Sequence, residues 1–429
     1  MIEKAKKMAG KCPVCGKTHP LITAEVHVGA DATEKLIAYI GDRGSRCLVI
    51  ADENTEKYAR VIAERAGCLS FALPAGSHAT EITTGKLNAF CEGKEIELFV
   101  ACGSGSIHDT VRYCAHAKNL PFVSYPTAAS VDGFVSSVAA MTWYGQKLTF
   151  PAVPPVALFA DDNVYANAPE RLTASGAADI LGKYTALVDW RTAQIVTGEH
   201  LCENIYALEK EALDATAYAI LHRSEYDNVS YTRLIMNGLI LSGLAMQLQE
   251  NSRPASGAEH HMSHFWEMHL INPESEGLHG EQVGVGLLAV LDEYKKFASR
   301  EILLTDTLLA PDVEKVMERS RLETVFGELT DGIIKENMPK GRDSFSLTQL
   351  SVADRSDAEQ KLRAVIAELP SRAEAEEMLR LCGSPCTLGE LGLPEGTDLL
   401  ERSAEFAPYV RNRLSLLKLI AAEKRTLAP

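Results

Sequence analysis

Nowhere does this 429-residue chain carry an apolar run approaching bilayer length, and its basic N-terminus, Met1–Met8, has no apolar segment behind it. Membrane insertion and a secretory leader are therefore not expected, and the reading is a cytoplasmic protein. Basic residues are in deficit. With 43 Lys and Arg against 58 Asp and Glu, the formal net charge is −15, which would repel a phosphate polymer and argues against nucleic acid as a partner. A local basic patch around a small anion is compatible with this balance. Internal repeats and low-complexity linkers are also missing. A hydrophobic share of 46% with 24% charged residues excludes disordered and collagen-like chains. The ten cysteines are scattered, Cys47, Cys68, Cys91, Cys102, Cys114 and Cys202 among them, as reduced buried thiols are and a disulfide framework is not. The length suits two or three packed units.

Two cysteine pairs stand apart. Cys12-Pro13-Val14-Cys15-Gly16-Lys17-Thr18-His19 has the form of a zinc knuckle, but no second Cys-x-x-Cys follows and a closed structural site takes four ligands. Half a site, with His27 as a candidate fourth ligand, favours a short N-terminal extension carrying reduced thiols. Cys382 and Cys386 bracket a Gly-Ser-Pro turn and read as structural.

From about residue 20 to 160, short apolar runs alternate with amphipathic helices. Strands are expected at 47–51, 68–73, 96–101 and 121–125, and helices at 33–40, 56–66 and 107–117. Alternation of this kind implies a parallel sheet with helices on its faces, whose ligands bind at the carboxyl ends of the strands. Beyond about residue 165 Ala, Leu, Glu, Arg and Lys dominate, with helical periodicity at 212–220, 231–248, 284–297, 312–320, 358–369 and 409–423. The expected class is α/β plus all-α: an extension over 1–24, an α/β dinucleotide-binding domain over 25–165, and a helical metal- and substrate-binding domain over 166–429. Prolines 151, 154, 155 and 169 interrupt both periodicities at the transition.

Three segments carry chemistry. The turn Cys102-Gly103-Ser104-Gly105-Ser106-Ile107-His108-Asp109 passes from strand to helix, where glycines admit a phosphate and free helix N–H groups face it. An ordinary glycine-rich turn fits equally, and with His108 at the last position this is not the dinucleotide fingerprint. Asp52, at the end of an earlier strand, suits a ribose hydroxyl and would repel the extra phosphate of NADP, or it caps the following helix. In Ser252–His264 and the following Leu278-His279-Gly280-Glu281, five of twelve histidines fall between 260 and 279. His260 and His264 share a helix face at metal-ligand spacing, and His279 can close the site.

With Pro126-Thr127-Ala128-Ala129-Ser130-Val131-Asp132-Gly133 added, the chain resembles the sn-glycerol-1-phosphate dehydrogenases, within the superfamily of metal-dependent alcohol dehydrogenases, glycerol dehydrogenases and dehydroquinate synthases. The similarity spans about residues 25–290, and the run Ser252–His260 is its most specific part. It implies a metal held by Asp179, His260 and His279, with zinc first and nickel or iron as alternatives. It implies catalytic and substrate roles for Asp132 and His264, with Asp179 also at the substrate. Asp52, Gly105, Ser106, Ile107, His108, Asp109, Thr127, Ser130 and Ser136 would hold NAD, and NADP as a second cofactor. Lys147 is a further cleft residue. The implied reaction is reversible NAD(P)H-linked reduction of dihydroxyacetone phosphate to sn-glycerol 1-phosphate by a homo-oligomer, and Arg253 is a candidate phosphate anchor. A glycerol dehydrogenase would keep the metal set and lose the phosphate pocket. A dehydroquinate-synthase-like lyase has Glu at the first metal position, where this chain has Asp179. A catalytically dead binding protein would have no need of all three ligands.

Overall fold

The computed structural model describes residues 2–268, 277–301, 303–337, 352–395 and 398–428. They form two compact units, one of Met1–Ile180 with Ala207–Ser252 and one of Leu181–Tyr206 with Arg253–Pro429. The fold class is the expected one.

The first unit is built on a six-stranded, wholly parallel sheet. Its strand order is Glu25–Val28, Ala157–Ala160, Phe122–Pro126, Leu98–Gly103, Cys47–Asp52 and Leu69–Leu73. The four expected strands are there to within two residues at each end. Their near-continuous apolar runs follow from burial on both faces: Val49 and Ala51 pack with Leu36 and Ile62 on one side, Leu48 and Ile50 with Leu87 and Val111 on the other. Cys47, Cys102, Cys91 and Cys114 lie in these cores, and none of the ten cysteines is in a disulfide. The helices Ala32–Ile40, Glu56–Ala66 and Gly105–Lys118 match expectation.

Sequence reading missed Glu25–Val28 and Ala157–Ala160, each only four residues long and too short to show a period. The second of these follows the prolines that read as a boundary. Also missed was the antiparallel hairpin of Val138–Trp143 with Gln146–Pro151, whose turn puts Tyr144 and Gly145 at positive φ of 48° and 80°.

Contrary to the sequence reading, the 22-residue helix Asn228–Gln249 is long and apolar enough to cross a bilayer by length and composition, though most of it is buried. It runs through the first unit, and a Cβ added at Gly243 would stand 2.8 Å from the Asp132 carbonyl oxygen. The second unit is helical, including Lys183–Thr197, Ala258–Trp266, His279–Ala298, Val352–Ala367 and Leu416–Leu427. Two expected helices differ. Residues 312–320 divide into Val313–Val316 and the start of Arg319–Phe326. The run 409–423 begins its helix only at Leu416, because Ser415 accepts the Lys418 N–H on its hydroxyl at 3.1 Å and caps it there.

Candidate active site

In the first unit the adjacent strands Phe122–Pro126, Leu98–Gly103 and Cys47–Asp52 end side by side. Their carboxyl ends deliver Thr127 to Ser130, the Gly103–Ser106 turn and Asp52 to one edge of the sheet. The turn is tightly built: a Cβ at Gly103 would stand 2.7 Å from Ile107 and one at Gly105 3.1 Å from Val131, so side chains are excluded where the backbone must stay open. Ser104 precedes the 14-residue helix with no side-chain cap, leaving its first N–H groups to an anion. Thr127 donates its N–H to the Gly103 carbonyl at 3.2 Å. The buried Ser130 hydroxyl has no hydrogen-bond partner among the described residues, an observation that fits a bound dinucleotide.

Several expected cofactor residues act from beneath this edge. His108 is fully buried, with Nδ1 2.9 Å from the Ser104 carbonyl and Nε2 2.8 Å from the Ser124 hydroxyl, and burial pushes its pKa down to about 3. It braces the loop as a neutral imidazole. Ile107 is buried under the glycines, Asp109 pairs with Arg112 at 2.7 Å, and the Ser136 hydroxyl closes a turn on Val138. Gly105 and Ser106 stay partly exposed at the helix start. Asp52 Oδ1 accepts from the N–H and hydroxyl of Thr55 at 3.0 and 2.7 Å, so it does cap the turn. Asp52→Ala should weaken NADH binding and narrow its margin over NADPH, since a ribose acceptor and a charge opposing the 2′-phosphate are both lost. Titration of both nucleotides checks this, and unchanged selectivity would leave Asp52 as a cap alone.

Asp132 and Asp179 meet in the same unit. The Asp132 N–H donates to Asp179 Oδ2 at 3.0 Å and the Ser242 hydroxyl to Asp132 Oδ2 at 3.0 Å. Asp179 is fully buried and Asp132 8% exposed. The loop carrying Asp132 is clasped between two helices, against whose glycines it lies too close for any side chain: Gly243, and Gly176 of Glu170–Leu181, which faces the Ala129 carbonyl. The side chain of Lys147 lies outside the described residues.

In the second unit, the helix Ala258–Trp266 places His260, His261 and His264, and His279 opens the next helix. The rings of His260 and His264 stand 5.2 and 5.6 Å from that of His279, centroid to centroid. Carboxylates orient them: Glu259 Oε1 lies 2.7 Å from His260 Nδ1, and Glu267 Oε1 3.0 Å from His279 Nδ1. An Nδ1 held by a carboxylate is the arrangement metal-binding imidazoles adopt. His264, Glu267 and His279 also form a donor set within 4.8 Å, so geometry as well as spacing puts His264 among the candidate donors. Burial pushes the His264 pKa down to about 3.

The motif's other residues now have reasons. A Cβ at Gly257 would stand 2.6 Å from Asp189 Oδ2, and one at Gly286 2.6 Å from the Glu259 carbonyl oxygen, so the histidine helix packs on backbone. Asp189, which sequence reading missed, accepts from the Ala258 N–H at 2.7 Å, the Leu416 N–H at 2.7 Å and the Tyr294 hydroxyl at 2.6 Å. Burial, then neighbouring Glu259, pushes its pKa up to about 7. Asp189→Ala should strand three buried donors and cost roughly 3–5 kcal/mol, read by chemical denaturation. A loss below about 1 kcal/mol, the worth of an ordinary hydrogen bond, would show that the joint does not depend on it.

Arg253 is 4% exposed and pairs with both Glu199 oxygens at 2.6 and 2.5 Å, while donating to the Leu414 carbonyl at 2.5 Å. It ties the motif to the start of the last helix. Around it gather three cations from beyond the region of resemblance: Arg411, Arg413 and Lys418. Arg413 donates to the Ser256 carbonyl at 3.2 Å, and Lys418 to Asn337 Oδ1 at 2.6 Å and the Arg411 carbonyl at 3.1 Å. Burial, then neighbouring arginines, pushes Arg413 down to about 9 and Lys418 to about 7. His261, fully buried with neither ring nitrogen partnered among the described residues, feels Arg413, Lys418 and Arg411, and Arg411 also acts on His264.

A parallel sheet with a phosphate-ready edge, followed by carboxylate-oriented histidines, defines the class of metal-dependent alcohol dehydrogenases. Residues 27–169 match the iron-containing alcohol dehydrogenase family. Solved structures agree in fold: glycerol dehydrogenase of Schizosaccharomyces pombe at TM-score 0.58 and 20% identity, over 93% of this chain and 88% of that one, and an iron-containing alcohol dehydrogenase of Thermococcus thioreducens at 0.59 and 16%, over 95% and 98%. Sequence relatives are more specific. The glycerol-1-phosphate dehydrogenase [NAD(P)+] of Bacillus licheniformis is 32% identical over 98% of this chain and 94% of its own length. That of Bacillus subtilis is 29% identical over 99% and 96%. The chain belongs to this family of oxidoreductases, the glycerol-1-phosphate dehydrogenases [NAD(P)+].

Proposed function

We propose that this chain reduces dihydroxyacetone phosphate reversibly to sn-glycerol 1-phosphate, using NADH or NADPH and one divalent metal ion. Asp179, His260 and His279 are the proposed ligands; one carboxylate and two imidazoles suit zinc first, nickel or iron next. The bound ion would supply Lewis acidity at the carbonyl and the dinucleotide the hydride. Glu259 and Glu267 hold their imidazoles in the ligating tautomer. The Gly103–Ser106 turn and Thr127–Ser130 take the dinucleotide, Asp132 orients substrate hydroxyls, and neutral His264 exchanges a proton at the substrate oxygen.

The observation that carries the choice of a phosphorylated substrate is the cluster of Arg411, Arg413 and Lys418 beside His261 and His264. Buried cations that repel one another are stabilised by a dianion among them, and a chain of net charge −15 concentrates them here. Arg253 serves as the brace of that pocket, its charge answered by Glu199. The test is NADH oxidation by the metal-replete protein with dihydroxyacetone phosphate and dihydroxyacetone side by side, with chiral analysis of the product. Comparable kcat/KM for the two ketones, or no net NADH consumption, would overturn this reading.

A further inference from the structure

The Cys12–His19 segment takes no part in that chemistry, yet it is built as a ligand knuckle. Gly10–Lys11 and Thr18–His19 pair antiparallel. Between them the Cys12 N–H donates to the Lys17 carbonyl at 2.8 Å and the Gly16 N–H to the Cys12 carbonyl at 3.0 Å, with Gly16 at a φ of +75°. This hairpin turns both thiols toward His19. The donor atoms of Cys12, Cys15 and His19 all lie within 4.8 Å of one another, and Cys15 Sγ is 3.3 Å from His19 Nε2. Two ligands of one tetrahedral zinc, with sulfur at about 2.3 Å and nitrogen at about 2.0 Å, stand about 3.5 Å apart.

His19 is oriented as ligating imidazoles are. It is 4% exposed, and its Nδ1 lies 2.8 Å from the Leu248 carbonyl, which fixes the tautomer and presents Nε2 to the thiols. A thiol–imidazole hydrogen bond alone would require neither the second cysteine nor that anchor. His27, the candidate fourth ligand in the sequence, is placed otherwise: it stacks on Phe159 at 5.1 Å and faces Glu25 at 3.5 Å.

We propose that Cys12, Cys15 and His19 bind a structural zinc ion separate from the catalytic metal, the tetrahedron being completed by one of the other eight cysteines. Both knuckle thiols are thiolates in the complex and release their protons on binding. The ion staples the N-terminal hairpin to the end of the helix Asn228–Gln249 that passes behind Asp132.

Metal analysis and cobalt substitution of the full chain test this, because thiolate-to-cobalt charge-transfer absorption arises at the knuckle and has no source in an Asp and two His. The wild type should hold two equivalents of metal and show the thiolate band. Cys12→Ser/Cys15→Ser should lose one equivalent and the band, while His260→Ala loses the other equivalent and keeps the band. Among serine replacements of the other eight thiols in turn, the variant that lacks the fourth ligand should bind cobalt more weakly and show a diminished band. Cobalt-loaded wild type without the band, or a band that survives the double substitution, would overturn the proposal; the wild-type spectrum decides even where the double variant fails to fold.

Discussion

Alanine at His260 or His279 should abolish bound catalytic metal and turnover together, with kcat/KM falling by at least about 10³-fold. Each imidazole has its Nδ1 held by a carboxylate, Glu259 at 2.7 Å and Glu267 at 3.0 Å, so its ring is already oriented and nothing else on that turn replaces it. Glu259→Gln should cost less, about 10–100-fold in metal affinity, because the ligand remains and only its orientation and basicity suffer. His264→Ala should keep the ion and lose turnover if this residue acts on the substrate. Elemental analysis decides among these outcomes. Full occupancy in both His260→Ala and His279→Ala would sink the ligand assignment, and loss of the ion from His264→Ala would make His264 a ligand through the set it forms with Glu267 and His279.

Wild-type enzyme should prefer dihydroxyacetone phosphate over dihydroxyacetone by about 10³-fold in kcat/KM, since the charge-assisted hydrogen bonds to the phosphate go unmade with the dephosphorylated ketone. Arg411→Gln and Arg413→Gln should each lower kcat/KM for the phosphorylated ketone by about 10²-fold and compress the preference. The effect should appear mainly in KM if the phosphate contact is equal in ground and transition states. Inorganic phosphate, as a competitive inhibitor, should weaken in parallel. A wild type indifferent to the phosphate would overturn the substrate. A wild type that prefers it, with both glutamine variants silent, would leave the substrate standing and move the anchor elsewhere.

Much of this molecule was legible without coordinates. Four runs of β-branched and apolar residues alternating with amphipathic segments can satisfy their backbones and bury both faces only as a parallel sheet under helices. The Gly103–Ser106 turn and the spacing of His260 with His264 are local facts of the chain, so the loop and the shared helix face could be read directly. Even the capping role of Asp52 was one of the two uses its position allowed. The misses have a common cause. Strands of four residues carry no period, and a helix pattern running from 409 to 423 does not reveal that Ser415 caps the turn within it.

What only the tertiary structure decided is which distant residues share a site. His108 read as a cofactor contact because it sits in the right loop, yet its ring points into the core, where charge is expensive and Ser124 satisfies it. Arg253 read as a candidate phosphate anchor or an ion-pair residue, and Glu199 pairs with it. The cations that gather instead, Arg411 and Arg413, include one bonded to a carbonyl 157 residues away. Sequence determines local geometry because backbone sterics and periodicity act over a few bonds; the electrostatic environment of a group depends on everything packed within several ångströms of it, and that is set only when the chain has closed on itself.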